Sequence, residues 1–541
     1  MKYFFSFFAF FSSYLISSHA QKYTEQDSLR GSITKERKWW DLQHYSLHLV
    51  INPEKKHISG HNTIRYQVLS KNQRLQIDLQ HPMKITRATH HGKNVFVESN
   101  GNAHYIHVPV QPVHTTDSVT VFFEGVPPQS KNPPWDAGFT WKKDTNQNHF
   151  IATSCQGKGA SVWWPNKDHM YDEPDQGIHE VYTIPENLIA VGNGRLKKTE
   201  HDTIIKTKTF HWEVSQPINN YGVNVNIGNY VHFSEKFKGE HKHLDCDYFV
   251  LPKYLEKAKT QFQQVAKTLK AFEFWFGPYP FYEDSYKLVQ VPYLGMEHQS
   301  SVTYGNMFQN GYLGHDLSKT GWGMKFDYVI VHETAHEWFA NSITNKDIAD
   351  MWIHESFATY AESLYLEYYF GKQAAYSYIR GLRNSIQNDK PIIGPYNVNS
   401  EGSGDMYFKG ANMLHTLRQL VTDDDTWRTI LRDLHQAFFH QTVTTNQIET
   451  FLNEQTQFYL QPVFDQYLRT TKIPVFETRI TKNHTEYRWS NVIHNFSMPL
   501  KIYLQGKEKW IYPTTQWKRM STISIPEIEI DPNFYIDLKT Q

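Results

Sequence analysis

His332 and His336 stand four residues apart in "VHETAHEWFANSITNKDIADMWIHESFATYAE", residues 331–362. The segment "FDYVIVHETAHEWFANSI" reads as a helix. On a helix, residues i and i+4 share a face, so both imidazoles project one turn apart. Two imidazoles so placed suit one zinc ion, which in hydrolytic sites takes three protein ligands and keeps a fourth position open. Glu333 follows the first histidine and would lie beside the open position as a base. His-Glu-x-x-His arises by chance in roughly one chain of this length in fifteen, so a third ligand decides the matter. Glu355 comes nineteen residues after His336, near the start of "DMWIHESFATYAESLYLEYYFG", a second helical stretch closing on Gly371. A helix, a turn and an antiparallel helix return its carboxylate to the histidines. Two histidines and one carboxylate form an open zinc arrangement of peptidases. Glu362, two turns beyond Glu355, is either a partner for a ligand imidazole or a solvated carboxylate. His354 points away from the face of Glu355, and Glu337 lies on the wrong side of its helix.

The elements that must position these residues follow from periodicity. From about residue 39 to 228 the chain reads as strands. "YSLHLVI" (Tyr45 to Ile51) alternates, and "HNTIRYQVL", "YIHVPVQ" and "SVTVFFEG" continue the pattern between turn signals such as "NPEKK" and "SNGN". Helical spacing begins with "YLEKAKTQFQQVAKTLKAFEFWFG" (Tyr254 to Gly277) and dominates to about Leu468, with a short strand region near Tyr286 to Leu294. After Lys472 strands return. The expectation is a multidomain α+β chain: an antiparallel β domain over 21–236, a mostly helical domain over 237–472, and a small β-sandwich module over 473–541 able to stand alone. The acidic run "TDDDTW" (Thr422 to Trp427) suits the start of the helix that follows.

Composition narrows the class. Of 541 residues, 39% are apolar, 20% charged and 15% aromatic, which argues against disorder. Lys plus Arg (55) equals Asp plus Glu (55), so no net charge draws in nucleic acid or an anionic membrane. "MKYFFSFFAFFSSYLISSHA" has a positive start, a short apolar run and small residues before a cleavage point, so residues 1–20 read as a secretory signal. The expected location is the bacterial periplasm or the medium, with no membrane-spanning stretch after cleavage. Cys155 and Cys246 make no disulfide framework and are expected to stay unpaired.

Three further segments sharpen the reading. His332-Glu333-Thr334-Ala335-His336, then eighteen residues, then Glu355-Ser356, resembles the M1 family of zinc metallopeptidases, the gluzincins that include aminopeptidase N. "YLGMEHQS" (Tyr293 to Ser300) resembles that family's Gly-x-Met-Glu-Asn exopeptidase motif, and "MYFKGANMLHTLR" (Met406 to Arg418) its Tyr-x-Lys-Gly segment. "WWDLQHYSLHLVI" resembles the start of its β domain. The resemblance implies a thermolysin-like catalytic domain with one Zn2+ on His332, His336 and Glu355, and Glu333 as general base for a zinc-activated water. It implies that Tyr407 donates to the oxyanion and that Glu297 holds the substrate α-ammonium. Gly295 and Met296 would then lie along the substrate backbone. Gln156, in "TSCQGKGASVWWPNKD", is the candidate second acceptor. The implied partners are peptides with a free N-terminus. The sequence departs from the family at His298, where the motif has asparagine; a histidine there is expected to alter backbone contacts or pH dependence. It also ends without the large helical C-terminal domain of longer members, so a more open cleft is expected. Alternative readings are an epoxide-hydrolase-like activity, a thermolysin-type endopeptidase, and a non-catalytic peptide-binding relative.

Overall fold

The computed structural model describes residues 23–421, 423–456, 458–480, 484–520 and 528–541; the expected signal segment 1–20 lies outside them. Trp40–Asn52 and His57–Val68 alternate buried and part-exposed residues, the period of a sheet with one face on a core. They pair antiparallel within an eight-stranded sheet. Trp40–Asn52 also pairs in parallel with Ile178–Pro185, so the sheet is mixed and not purely antiparallel. Parallel neighbours need a long connection, and residues 53–177 supply it. One four-stranded and one three-stranded sheet complete this β-rich region. Trp40, Tyr45, Tyr66, Trp163, Trp164 and Tyr182 fill one apolar core within it.

A five-stranded sheet follows, in the order Val231–Lys238, His243–Val250, Tyr286–Gln290, Val302–Tyr304, Gly295–Met296. The division expected between 236 and 237 therefore falls inside a strand. Local alternation marks that strand, but which sheet it joins depends on partners distant in sequence. The helix expected over Tyr254 to Gly277 comes in two pieces, Leu255–Gln261 and Gln263–Phe276, and stops at Gly277 with φ 91°. Helices Tyr328–Ala335, Trp352–Phe370 and Phe408–Leu420 pack together in the same unit. Asp423 in the acidic run caps Asp424–Ala437 by accepting from Thr426 N at 2.8 Å.

The C-terminal strands form a four-stranded and a three-stranded sheet. They pack against the helical domain. Phe476, Trp489, Phe496 and Leu500 belong to the same core as the helices, and Arg383 donates to the carbonyls of Pro532 (2.8 Å) and Asn533 (3.1 Å). The architecture is α+β: a β-rich N-terminal domain, a helical domain, and C-terminal strands that share the helical domain's core. Cys155 and Cys246 are free, buried, and in different cores. Among the described residues no helix is long and apolar enough to cross a membrane.

Candidate metal centre and active-site cleft

Asp327 starts the histidine-bearing helix by accepting from Val329 N (3.1 Å) and Ile330 N (3.4 Å). Every residue of Tyr328–Ala335 is buried. The helix stops at Ala335 instead of running to Ile343. Beyond it, backbone bonds span five residues: Asn341 N to His336 O, Ser342 N to Glu337 O, and Ile343 N to Trp338 O, at 3.0–3.1 Å. Such wide turns recur at functional sites. Ala340 sits at φ 145°, a conformation that costs a non-glycine residue about 1–3 kcal/mol. The consequence is useful: Ile343 N bonds Trp338, and the Phe339 carbonyl accepts from His336 Nδ1 at 2.9 Å.

His332 Nδ1 is likewise engaged, with Glu362 Oε1 at 2.7 Å. Glu362 is fully buried and also accepts from Tyr378 OH at 2.5 Å, so it is a partner of the imidazole and not a solvated carboxylate. With both Nδ1 atoms held, both Nε2 atoms turn toward Glu355. The Nε2 atoms are 3.3 Å apart, and they stand 3.6 Å (His332) and 3.5 Å (His336) from Glu355 Oε2. Ligands about 2.0–2.1 Å from a tetrahedral zinc lie roughly 3.3–3.5 Å from one another. Glu355 Oε2 is buried and has no hydrogen-bond donor. A carboxylate oxygen left so in a protein interior is costly unless a cation meets it. Donor set, spacing and the orphaned oxygen all fit zinc.

The charges agree. Burial opposes the charged form of His336, yet the Glu355 and Glu297 carboxylates hold it up, at about 8. Burial likewise works against Glu355, but His336 and His332 outweigh it and keep the carboxyl well below its ordinary range. Metal ligation needs neutral imidazoles, so metal uptake displaces protons. Glu337 and His354 take no part as ligands. Glu337 accepts from Tyr279 OH (2.6 Å), Ser300 N (3.0 Å) and Asn341 Nδ2 (3.2 Å), and His354 Nε2 accepts from Asn345 N at 2.8 Å. Carboxylate partners of ligand imidazoles are worth about 10–100-fold in metal affinity. Glu362→Gln is therefore expected to weaken zinc binding by that factor in a competition titration against a chromophoric chelator; unchanged affinity would separate Glu362 from the metal site.

The structure brings all nine candidate residues to one cleft: Gln156, Gly295, Met296, Glu297, His332, Glu333, His336, Glu355 and Tyr407. A carboxylate oxygen of Glu333 lies within 4.8 Å of donor atoms of Glu297 and His336. Burial pushes the Glu333 carboxyl up to about 7, against the pull of His332 and His336. Gly295–Met296 is the edge strand of the five-stranded sheet, paired on one side only with Val302–Tyr304. A Cβ at Gly295 would stand 2.6 Å from Val329 Cγ1 and 2.8 Å from Thr303 O, so only glycine lets this edge lie on the histidine helix. Asn341 Nδ2 holds the Glu297 carbonyl at 2.9 Å. From the N-terminal domain, Gln156 Nε2 donates to Glu297 Oε1 (2.8 Å) and Glu355 Oε1 (2.9 Å). The Tyr407 ring stacks beside His332 at 6.0 Å. Its backbone is set by Ser356 Oγ donating to Met406 O at 2.6 Å.

Sequence reasoning missed Tyr328 and Trp135 in the cleft wall, and Asn341 and Arg30 behind it. Tyr328 is one turn before His332 and stacks on it at 5.0 Å; its i−4 position was the available signal. Trp135 lies between strands, where no period marks it. Arg30 reaches the Gln156 loop from the helix Glu25–Gly31, donating to Gly157 O (3.3 Å) and pairing with Asp168 (3.2 Å). His298 needs correction. It does not line the cleft, it is fully buried, and burial lowers it to about 3. Burial thus favours its neutral form, which argues against the pH dependence expected from sequence.

The Peptidase family M1 domain model matches residues 260–467, and the Peptidase M1 N-terminal domain model matches residues 42–221. A leucyl aminopeptidase of Saccharolobus solfataricus is 20% identical over 396 residues, which cover 68% of this chain and 48% of the relative. Endoplasmic reticulum aminopeptidase 1 of Mus musculus is 24% identical over 248 residues, 43% of this chain and 26% of the relative. The chain thus spans about half, or less, of the length of these curated relatives. In fold it is similar to a crystal structure of an M1 zinc metallopeptidase from Deinococcus radiodurans, with TM-score 0.67 and 21% identity, covering 81% of this chain and 96% of that one. With both domain models placed in order, one on the β-rich region and one on the helical unit that carries His332, His336 and Glu355, the chain belongs to peptidase family M1.

Proposed function

We propose that this chain is a zinc aminopeptidase that removes single residues from the N-terminus of peptides. The observation that carries the reading is one cleft in which Glu297 and Gln156 stand against the ligand set His332, His336 and Glu355. Bound there, zinc would supply Lewis acidity to a carbonyl and bring the pKa of a water toward about 7. Glu333 takes the proton of the attacking water and returns it to the leaving amine. Tyr407 donates its phenol to the developing oxyanion. Burial and the Glu355 carboxylate hold that phenol well above its ordinary range, so it remains a donor at working pH. Glu297 accepts from the substrate ammonium, a cation that needs fixed acceptors once out of water. Gln156 spends its NH2 on two carboxylates and offers its amide oxygen to the same group. The free side of the edge strand Gly295–Met296 pairs with an extended substrate backbone. A wall of two acceptors ends the cleft, which confines cutting to the first peptide bond.

The test uses purified protein on aminoacyl-arylamides and an N-acetylated counterpart, with chelator and after zinc return. Cleavage of free-amine substrates alone, lost on chelation and restored by zinc, is expected. Comparable cleavage of the blocked substrate would point to an endopeptidase instead. The Gln156 loop depends on Arg30, so Arg30→Ala is expected to raise KM for free-amine substrates by about one order of magnitude, with a smaller change in kcat. Lys at that position restores part of the loss if charge on the Gly157 carbonyl is what matters.

A further inference from the structure

The N-terminal domain holds a second cluster of metal-ligand type, built from elements that do not reach the cleft. Consecutive side chains of a strand point to opposite faces, so two adjacent histidines in a continuous strand cannot serve one ion. Here the strand Lys84–His90 ends at the first of them. His91 (φ 48°) and Gly92 (φ 73°) form a two-residue hairpin turn in which His90 pairs with Lys93. Positive φ is uncommon for a residue with a Cβ. The turn swings His91 back to the side of His90, and the two rings come to 4.0 Å between centroids. Both face one carboxylate on the neighbouring strand Thr116–Gly125. His90 Nε2 lies 2.8 Å from Asp117 Oδ2, and His91 Nε2 lies 3.3 Å from Asp117 Oδ1.

We propose that His90, His91 and Asp117 bind a divalent transition-metal ion, zinc being the probe of choice. One ligand atom from each residue lies within 4.8 Å of the others. Two imidazoles and a carboxylate are the donor types that first-row ions of borderline softness prefer. The cluster is anchored and yet open. The His90 and Asp117 side chains are 8% and 11% exposed, while His91 is 70% exposed and gives an ion a way in and room for water. Asp117 Oδ1 also accepts from Ser118 N at 2.7 Å. The Gln111 amide nitrogen donates to Asp117 Oδ2 and lies 3.2 Å from His90 Nε2, and its oxygen accepts from Tyr66 OH at 3.1 Å; an ion that takes both ligand atoms displaces this amide nitrogen from between them. An ion here would tie the hairpin tip to the adjacent strand, and the inference stands whether or not the peptidase reading holds.

The test is metal content of the full chain after dialysis against buffered micromolar free zinc. Two zinc ions per wild-type chain are expected. His91→Ala, at an exposed side chain, is expected to hold one and to keep its full activity on a free-amine arylamide. Asp117→Asn is expected to hold one as well, and His332→Ala is expected to keep the hairpin ion alone. One zinc per wild-type chain, absent in His332→Ala, overturns the second site. So do two ions retained in both His91→Ala and Asp117→Asn, since the second would then lie elsewhere, for example on the His48, His61 and His179 rings of the outer sheet face.

Discussion

Glu333→Gln is expected to lower kcat by about 10²–10⁴-fold while zinc content stays at the wild-type level. The substitution keeps shape and removes only the ability to take a proton. Glu333 is 7% exposed and lies outside the trio His332, His336 and Glu355, whose nitrogen and oxygen separations fit the ion. Loss of a group that acts on the proton in flight falls on kcat more than on KM. The pH profile gives an independent readout. Burial lifts the carboxyl to about 7. As the proposed base, Glu333 would work as the carboxylate, so the rate is expected to fall as pH drops through its pKa. A cation held by the three ligands favours the carboxylate and moves that pKa down. The acid limb of kcat/KM is therefore expected at or below about pH 7, and the variant's residual rate should lack it. Steady-state kinetics with metal analysis on the same samples checks both parts. Parallel loss of zinc and activity would make Glu333 a ligand and not a base.

What sequence could and could not reveal divides along physical lines. The candidate ligands were legible because their spacing is a property of helices: i and i+4 on one, and a carboxylate near the start of the next. The end of the first helix was not. "EWFANSI" has ordinary helical composition, and the wide turn at Ala340 draws in a distant partner as well as a near one, its carbonyl accepting from Asn219 Nδ2 at 3.3 Å and from Thr344 Oγ1 at 2.7 Å. Strands were legible by alternation, but the parallel pairing of Trp40–Asn52 with Ile178–Pro185 was not, because nothing local encodes a partner so far along the chain. His298 shows the same limit for chemistry. Residue type alone suggests titration near neutrality; its burial, invisible in sequence, favours the neutral form. Glu297, Tyr407 and Gln156 came from resemblance alone, and it took the folded chain to bring them beside Glu333.

Replacing Glu297 tests what makes the proposed enzyme an aminopeptidase. Removing one partner of a desolvated charge pair costs about 2–5 kcal/mol, so Glu297→Ala is expected to lower kcat/KM on free-amine substrates roughly 30- to 4,000-fold. The fold around it should hold. The residue's carbonyl is kept by Asn341 at 2.9 Å, and the edge strand is kept by its pairing with Val302–Tyr304. Gln156 loses one acceptor but retains Glu355 at 2.9 Å. Lower activity alone would not distinguish holding the ammonium from shaping the cleft. A substrate lacking the α-amino group does, because it removes the other half of the interaction. The wild-type protein is expected to cleave it poorly, and the variant to cleave it no worse than the wild type does. An equal loss on both substrates would mean that Glu297 acts through Gln156 and Glu355, and that free-amine selectivity comes from elsewhere in the wall.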